Sequence, residues 1–320
     1  MFNIIDFIKV KTRPLRRGPK QWYQRKKQEF ILWHRPKQIA DQLFEQQFGY
    51  KIDWDNPRDL NEKIQWLMFN TDISEWVRLA DKYRVREFVK ARGCEEILIP
   101  LYGKWERAED IDWDKLPNSF VMKVNHGCGD AQIVLDKTKA DLSAIQQFMK
   151  NALKQTWGLG TAEIHYRRIK PCIIAEQLLL PSDASHVKEV NGMAPTATMT
   201  DYKIWCFNGN PYCIQAYSGR DMKTNEMIRN VYDWNWNKHP EYYNEQYRSD
   251  VIDKKPEHLK EMYEYACKLS KGFPEVRVDL YECNGKVYFG ELTFTGSAGR
   301  IPTFTKEYLK EMGDQIIIKK

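Results

Sequence analysis

The sequence predicts an α+β fold: a helical N-terminal region followed by helices mixed with antiparallel sheets. Three observations lead there. Residues 57–66 and 75–89 place apolar side chains at helical spacing and contain no glycine. Two later runs, 202–217 and 276–294, are each divided by an Asn-Gly pair, Asn208-Gly209 and Asn284-Gly285, the turn favoured between antiparallel strands. The regular strand–helix–strand alternation that a doubly wound parallel sheet requires is absent.

Taken in order, residues from about 30 to 92 read as helical. Residues 119–124 and 132–135 are short β-rich runs on either side of the loop Asn125-His126-Gly127-Cys128-Gly129-Asp130, a strand, glycine loop, strand arrangement. Leu142, Ile145, Phe148, Met149 and Leu153 then recur at helical spacing, and the apolar run 172–180 reads as a buried strand. Between the two hairpins a helix is predicted to start at Pro256, with Leu259, Met262, Tyr263, Ala266 and Leu269 on one face, and to stop at Gly272 and Pro274. No internal repeat or low-complexity linker marks boundaries. Changes of pattern divide the chain into a basic arm (1–28), a mainly helical region (29–118), a small lobe with the glycine loop (119–180) and a large lobe with a metal site (181–320).

With 42% hydrophobic and 29% charged residues in 320, the chain suits a soluble protein with a sizeable core rather than a disordered one. No stretch approaches the roughly 20 apolar residues of a membrane-spanning helix, and no signal-peptide pattern opens the chain, so a cytoplasmic location is expected. Seven cysteines include no Cys-x-x-Cys pair and are expected to be reduced and mostly buried. The net charge of +6 is unevenly spread, because Lys9, Lys11, Arg13, Arg16, Arg17, Lys20, Arg25, Lys26 and Lys27 crowd the N-terminus. Behind the apolar tip of Phe2, Ile4, Ile5, Phe7 and Ile8, that arm suits contact with an anionic membrane surface, or a solvated arm packed on its own domain. No nucleic-acid-binding motif accompanies it. The histidines show no zinc-ligand spacing.

Chemistry concentrates in the last hairpin. Arg277 and Asp279 share one face of its first strand, and Glu291, Thr293 and Thr295 share one face of its second. If the two faces coincide, two carboxylates and a guanidinium converge, which suits Mg²⁺ held by hard oxygens and substrate phosphates; otherwise this is an exposed strand face carrying an ordinary ion pair. Upstream, Lys123 sits in the middle of a hydrophobic strand beside the glycine loop. A buried lysine there needs a partner such as an ATP phosphate, with loop N–H groups approaching the phosphates, whereas an edge-strand lysine would simply reach solvent. Asn125 and His126 suit phosphate contact or loop capping equally.

The order of these pieces resembles the ATP-grasp superfamily, and their phrasing its TupA-like branch of polysaccharide-associated amide ligases, over roughly residues 52–307. The similarity is carried by Asn61-Glu62-Lys63-Ile64-Gln65-Trp66, Asp81-Lys82-Tyr83, residues 121–129, Ile174-Ala175-Glu176, Asp201-Tyr202-Lys203, Tyr232-Asp233-Trp234-Asn235-Trp236 and the 277–296 hairpin. The resemblance implies two lobes clasping ATP. It implies that Lys82 and Lys123 contact the ATP phosphates, with the loop from Asn125 through Gly127 to Gly129 closing over them. Glu176, with the backbone from Gln177 to Leu179, would hold the adenine, Asp201 the ribose hydroxyls, and Asp279 and Glu291 Mg²⁺. Arg277 would stabilise the acyl phosphate and the tetrahedral intermediate. The superfamily usually has Asn two residues after the metal-binding Glu; Thr293 stands there, a weaker oxygen ligand.

The implied function is ligation of a sugar carboxylate, such as a uronic acid, to an amino acid or amino sugar in capsule or cell-surface polysaccharide synthesis, on a free, nucleotide-linked or lipid-linked acceptor. The chemistry fits the residue types: a carboxylate becomes a useful electrophile once phosphorylated, and phosphoryl transfer asks mainly for positioning and charge neutralisation. Two Asp-x-Asp triplets, Asp53-Trp54-Asp55 and Asp112-Trp113-Asp114, keep a glycosyltransferase in play, although both precede a proline and suit turns. A sugar kinase on the same fold, or a non-catalytic ATP-binding module, are further alternatives. Residues 232–236 suit a sugar-stacking platform or a packed turn, and Lys203, Arg220 and Arg229 suit contacts to an acidic substrate or solvated hairpin positions.

Overall fold

A computed structural model describes residues 30–182, 192–193, 199–219 and 227–318. The basic arm and Arg220 lie outside the described residues. After a helical stretch at residues 30–34 come α1 (Pro36–Phe48), α2 (Leu60–Asn70), α3 (Ser74–Leu79) and α4 (Val85–Ala91). The run 75–89, predicted as one helix, is broken between α3 and α4. Asp81 Oδ1 accepts hydrogen bonds from the backbone N–H of Tyr83 at 2.9 Å and Arg84 at 3.1 Å, so a side chain competes with the helical ladder at that point. The Lys82 N–H turns to the Asn125 carbonyl at 3.0 Å instead.

The smaller sheet contains β1 (Leu101–Trp105), β2 (Phe120–Val124), β3 (Gln132–Val134) and β4 (Ile173–Glu176) in the order β1-β4-β2-β3, every neighbouring pair antiparallel. β1 comes from the stretch expected to be mainly helical. Along β2 the pleat buries Phe120, Met122 and Val124, which pack with Ile145 and Met149 of α5 (Leu142–Ala152). Lys123 therefore projects from the opposite face. The strand predicted over 172–180 ends at Glu176, after which the Gln177 N–H donates to the Pro100 carbonyl at 2.9 Å.

The larger sheet contains β5 (Asp201–Phe207), β6 (Asn210–Ser218), β7 (Ile228–Tyr232), β8 (Glu275–Cys283) and β9 (Lys286–Thr293), all antiparallel, in the order β7-β6-β5-β8-β9. Both Asn-Gly pairs form the expected turns, with φ of 51° and 79° at Asn208 and Gly209 and 50° and 73° at Asn284 and Gly285. The helix expected from Pro256 begins later, as α6 (Leu259–Ser270). The Glu282 carboxylate accepts the N–H groups of Glu257 at 3.1 Å and His258 at 2.7 Å, capping this end from the hairpin. One core joins the larger sheet to α2, α3, α4, α6 and α7 (Lys306–Asp314).

No helix among the described residues is long and apolar enough to cross a membrane. None of the seven cysteines is joined in a disulfide, and five of them are buried.

Candidate active site

Register brings the hairpin faces together. Arg277 stands opposite Thr293 and Asp279 opposite Glu291; the pairing then shifts, so that Leu280 opposes Phe289 and Gly290 is left over in a bulge. Arg277 donates to Asp279 through Nε to Oδ1 and Nη2 to Oδ2, both at 2.7 Å, and through Nη2 to Thr293 Oγ1 at 3.1 Å. Thr293 Oγ1 in turn donates to Glu291 Oε1 at 3.2 Å. From β5, opposite Asp279, Lys203 reaches Asp279 Oδ2 at 2.7 Å and Asp201 Oδ2 at 2.5 Å. From the break between α3 and α4, Lys82 reaches Glu291 Oε2 at 3.3 Å and donates to the Gly127 carbonyl at 2.6 Å. Three cations thus face three carboxylates in one network.

The electrostatics follow from that pairing. Burial pushes the Glu291 carboxyl up, but Lys82, Lys203 and Arg277 outweigh it and hold the pKa at about 2. Burial pulls the Lys82 and Lys203 ammoniums down; Glu291 and Asp130 for the first, and Asp201 and Asp279 for the second, more than offset it. Asp201 is raised by burial despite Lys203.

A second cluster faces it across a cleft. Lys123 Nζ lies 2.6 Å from Glu176 Oε2, and Arg86 Nη1 3.3 Å from Glu176 Oε1. Lys123 and Glu176, with Asp201, line a cavity of about 210 Å³ whose other walls include Ile99, Val121, Ile133, Leu178, Leu179, Met199 and Tyr281. An apolar slot with a few convergent polar groups is the ordinary form of a small-molecule site.

The structure therefore brings Lys82, Lys203, Asp201, Arg277, Asp279, Glu291 and Thr293 into one network, and Lys123, Glu176, Gln177 and Leu179 to the adjoining cavity. The partner that Lys123 needs is Glu176. Asn125 is turned into its own loop: Nδ2 donates to the Lys170 carbonyl at 3.0 Å and Oδ1 accepts from the Cys172 N–H at 2.7 Å. Gly127 is required by close approach, since a Cβ there would stand 2.5 Å from the Trp157 ring. Gly129 has a φ of 71°. Arg86 was missed from sequence, although it sits four residues after Lys82; Tyr281 and Trp157 carried no legible signal.

Other motifs hold structure. On α2, Asn61 and Gln65 are buried and reach the backbone of the 296–301 segment: Asn61 Oδ1 accepts from the Ile301 N–H at 2.8 Å, and Gln65 Nε2 donates to the Ala298 carbonyl at 2.8 Å. Asp53 Oδ1 accepts from the N–H groups of Asp55 and Asn56, and Asp112 pairs with Lys115 at 2.8 Å, so each triplet contributes to its own turn or local ion pair. Tyr232 and Trp236 stack 4.1 Å apart in a packed turn, and Arg229 lies over the Tyr217 ring.

No group of three or more His, Cys, Asp or Glu side chains suited to a metal occurs among the described residues. The paired Asp279 and Glu291 nonetheless suit a hard cation shared with phosphates. A carboxylate has about four acceptor positions, of which Asp279 uses three, and the Glu291 side chain is 33% exposed. Thr293 Oγ1 already accepts from Arg277 and donates to Glu291, which places it between those groups.

Residues 62–317 match the family described as TupA-like ATPgrasp. The chain belongs to the TupA-like ATP-grasp family, and its two antiparallel sheets with flanking helices form an α+β fold. No curated protein matches it. Among solved structures it is similar to a D-alanine–D-alanine ligase from Bacillus anthracis complexed with ATP, at 17% identity and a TM-score of 0.42 over 75% of this chain and 66% of that one. It is also similar to the ATP-grasp ligase PsnB complexed with minimal precursor, at 12% identity and 0.40 over 80% and 68%. A third is the D-cycloserine synthetase DcsG, at 12% identity and 0.42 over 75% and 70%. The chain spans about two thirds of the length of these proteins.

Proposed function

We propose that this protein is a cytoplasmic ATP-dependent carboxylate–amine ligase of capsular or other cell-surface polysaccharide synthesis. It joins a sugar carboxylate, a uronic acid, to an amino acid or amino sugar through an acyl phosphate. The observation that carries the chemistry is the network of Lys82, Glu291, Arg277, Asp279 and Lys203 beside the cavity lined by Lys123, Glu176 and Asp201. The polysaccharide setting follows from the family resemblance.

In this reading the cavity takes the adenine, with Glu176 and the backbone of residues 177–179 at its edge, and Asp201 takes the ribose hydroxyls. Lys82 and Lys123, now bound to Glu291 and Glu176, exchange those partners for ATP phosphates, while the loop of residues 125–129 covers them. Asp279 and Glu291 would hold Mg²⁺, which when bound neutralises phosphate charge during transfer. Arg277, fixed by its two bonds to Asp279, presents its guanidinium to the oxyanion of the acyl phosphate and of the tetrahedral intermediate. Side-chain nucleophiles are not needed. The sheet of β1 to β4 serves as the small lobe and residues 181–320 as the large one.

The test is ADP release from Mg-ATP across a panel of uronic and amino acids, with hydroxylamine present to trap acyl phosphate as hydroxamate. Carboxylate-dependent ADP with hydroxamate is expected. ADP with a stable phosphorylated sugar and no hydroxamate would make the protein a kinase. The basic N-terminal segment gives the protein peripheral contact with an anionic membrane or lipid-linked glycan. Deleting residues 1–28 should abolish sedimentation with anionic vesicles and spare ATP binding; retained sedimentation overturns that assignment.

A further inference from the structure

The ligase reading uses Asp201, Asp279 and Glu291 of the cation network but leaves the nearby carboxylate of Glu163 unassigned. Glu163 lies in the connection between α5 and β4. Its Oε1 accepts a hydrogen bond from Thr295 Oγ1 at 2.5 Å and its Oε2 one from Thr161 Oγ1 at 2.6 Å. Thr295 lies in the bend just after β9, two residues past Thr293, so its hydroxyl ties Glu163 to the chain that follows the Glu291 and Thr293 strand. Asp201, Asp279, Glu291 and Glu176 each lie within 4 Å of a lysine or arginine. Glu163 has no such counter-ion among the described residues. The nearest candidate, Arg300, donates Nη1 to the carbonyls of Thr161 and Ala298 instead.

The connection is built to hold this group beside the phosphate-covering loop. Gly158, at a φ of 74°, passes so close to Glu163 that a Cβ would stand 2.1 Å from its carbonyl oxygen. Trp157 packs under Gly127, and His126 Nε2 lies 3.1 Å from the Gln155 carbonyl. The Cys128 thiol of that loop and the Tyr166 phenol feel the charges of both Glu163 and Glu291. A carboxylate fixed by two hydroxyls, with the charge of Arg300 acting on it only from beyond ion-pair distance, beside a site crowded with ion pairs, is a seat for a cation that arrives with a substrate.

We propose that Glu163 binds the ammonium of the amine co-substrate and accepts its proton before attack on the acyl phosphate. This rests on the ligase reading. The protonated amine gives one proton to Glu163 and becomes nucleophilic. Its nitrogen lone pair forms the C–N bond, and the C–O bond to phosphate breaks with its electron pair leaving on the phosphate. The second nitrogen proton leaves with it as hydrogen phosphate, and Glu163 returns its proton to solvent.

Hydroxylamine separates the two halves, because it is largely neutral near pH 7 and needs no deprotonation. In Glu163→Gln the amide oxygen can accept from one threonine hydroxyl while the amide N–H donates to the other, one of the two bonds reversing direction. It should retain carboxylate-dependent hydroxamate formation with glucuronate or galacturonate within a few-fold. Amide formation with the best acceptor among glycine, L-alanine, L-lysine and glucosamine should fall by about 10²–10⁴, with a raised KM for the amine. Glu163→Asp should recover part of the loss. Equal loss with hydroxylamine and amine, or amide formation unchanged in Glu163→Gln, overturns the assignment. If the wild-type protein forms no hydroxamate with any carboxylate, the ligase reading fails and the assignment falls with it.

Discussion

Glu291 illustrates what a single side chain contributes here. Lys82, Lys203 and Arg277 overcome burial and hold its carboxyl at about 2, below its ordinary value of 4.5. The folded protein therefore binds fewer protons than the unfolded chain in that window, so stability rises with pH across it. We expect the contribution to be present above about 4.5 and lost as pH falls towards 2. Urea unfolding followed down this range should show a shallower acid limb in Glu291→Gln than in wild type. Arg277 makes a different kind of contribution, since its fork, rather than its charge alone, grips Asp279. Arg277→Lys should bind ATP nearly as wild type in titration calorimetry and lose turnover by about 10²–10³; normal turnover would remove the oxyanion role. Arg277, Asp279 and Glu291 were legible because strand side chains alternate strictly. Glu163 was not, because its significance comes from a hydroxyl 132 residues away.

Among the elements, the hairpins were the most legible, since an Asn-Gly pair specifies both a turn and the register that follows it. The break after α3 was not, because the apolar spacing continues through it and the backbone is diverted by the Asp81 hydrogen bonds and the distant Asn125 carbonyl. That diversion delivers Lys82 to Glu291. The glycine loop has a similarly local requirement: Gly127→Ala would drive a methyl into Trp157 and push the loop away from the cleft. A raised KM for ATP, with the melting temperature little changed, is the expected outcome in steady-state assays. At the contact of α2 with α7, a Cβ on Gly313 would stand 2.6 Å from the Leu60 nitrogen. Backbone cannot yield as a side chain can, so Gly313→Ala should destabilise the fold by about 1–3 kcal/mol in chemical denaturation.

At the scale of the whole molecule, the site is a junction. Helices α3 and α4 send Lys82 to one sheet and Arg86 to the other, while α2 ties the backbone that follows β9 through Asn61 and Gln65. ATP bound across such a junction favours the folded state in proportion to its occupancy. At about 100 times its dissociation constant it should add about 2.7 kcal/mol, read as a rise in melting temperature that Lys82→Met diminishes. The sequence by itself determined the α+β class, both hairpins, the glycine loop and the charged faces of β8 and β9, because turn chemistry and side-chain periodicity act over a few residues. Only the tertiary structure decided that Lys123 pairs with Glu176, that Lys82 reaches Glu291 across 209 positions, and that Asn61 and Gln65 of α2 hold the backbone after β9. Such pairings depend on how two sheets and the helices between them pack, and no local pattern encodes which distant charges will meet.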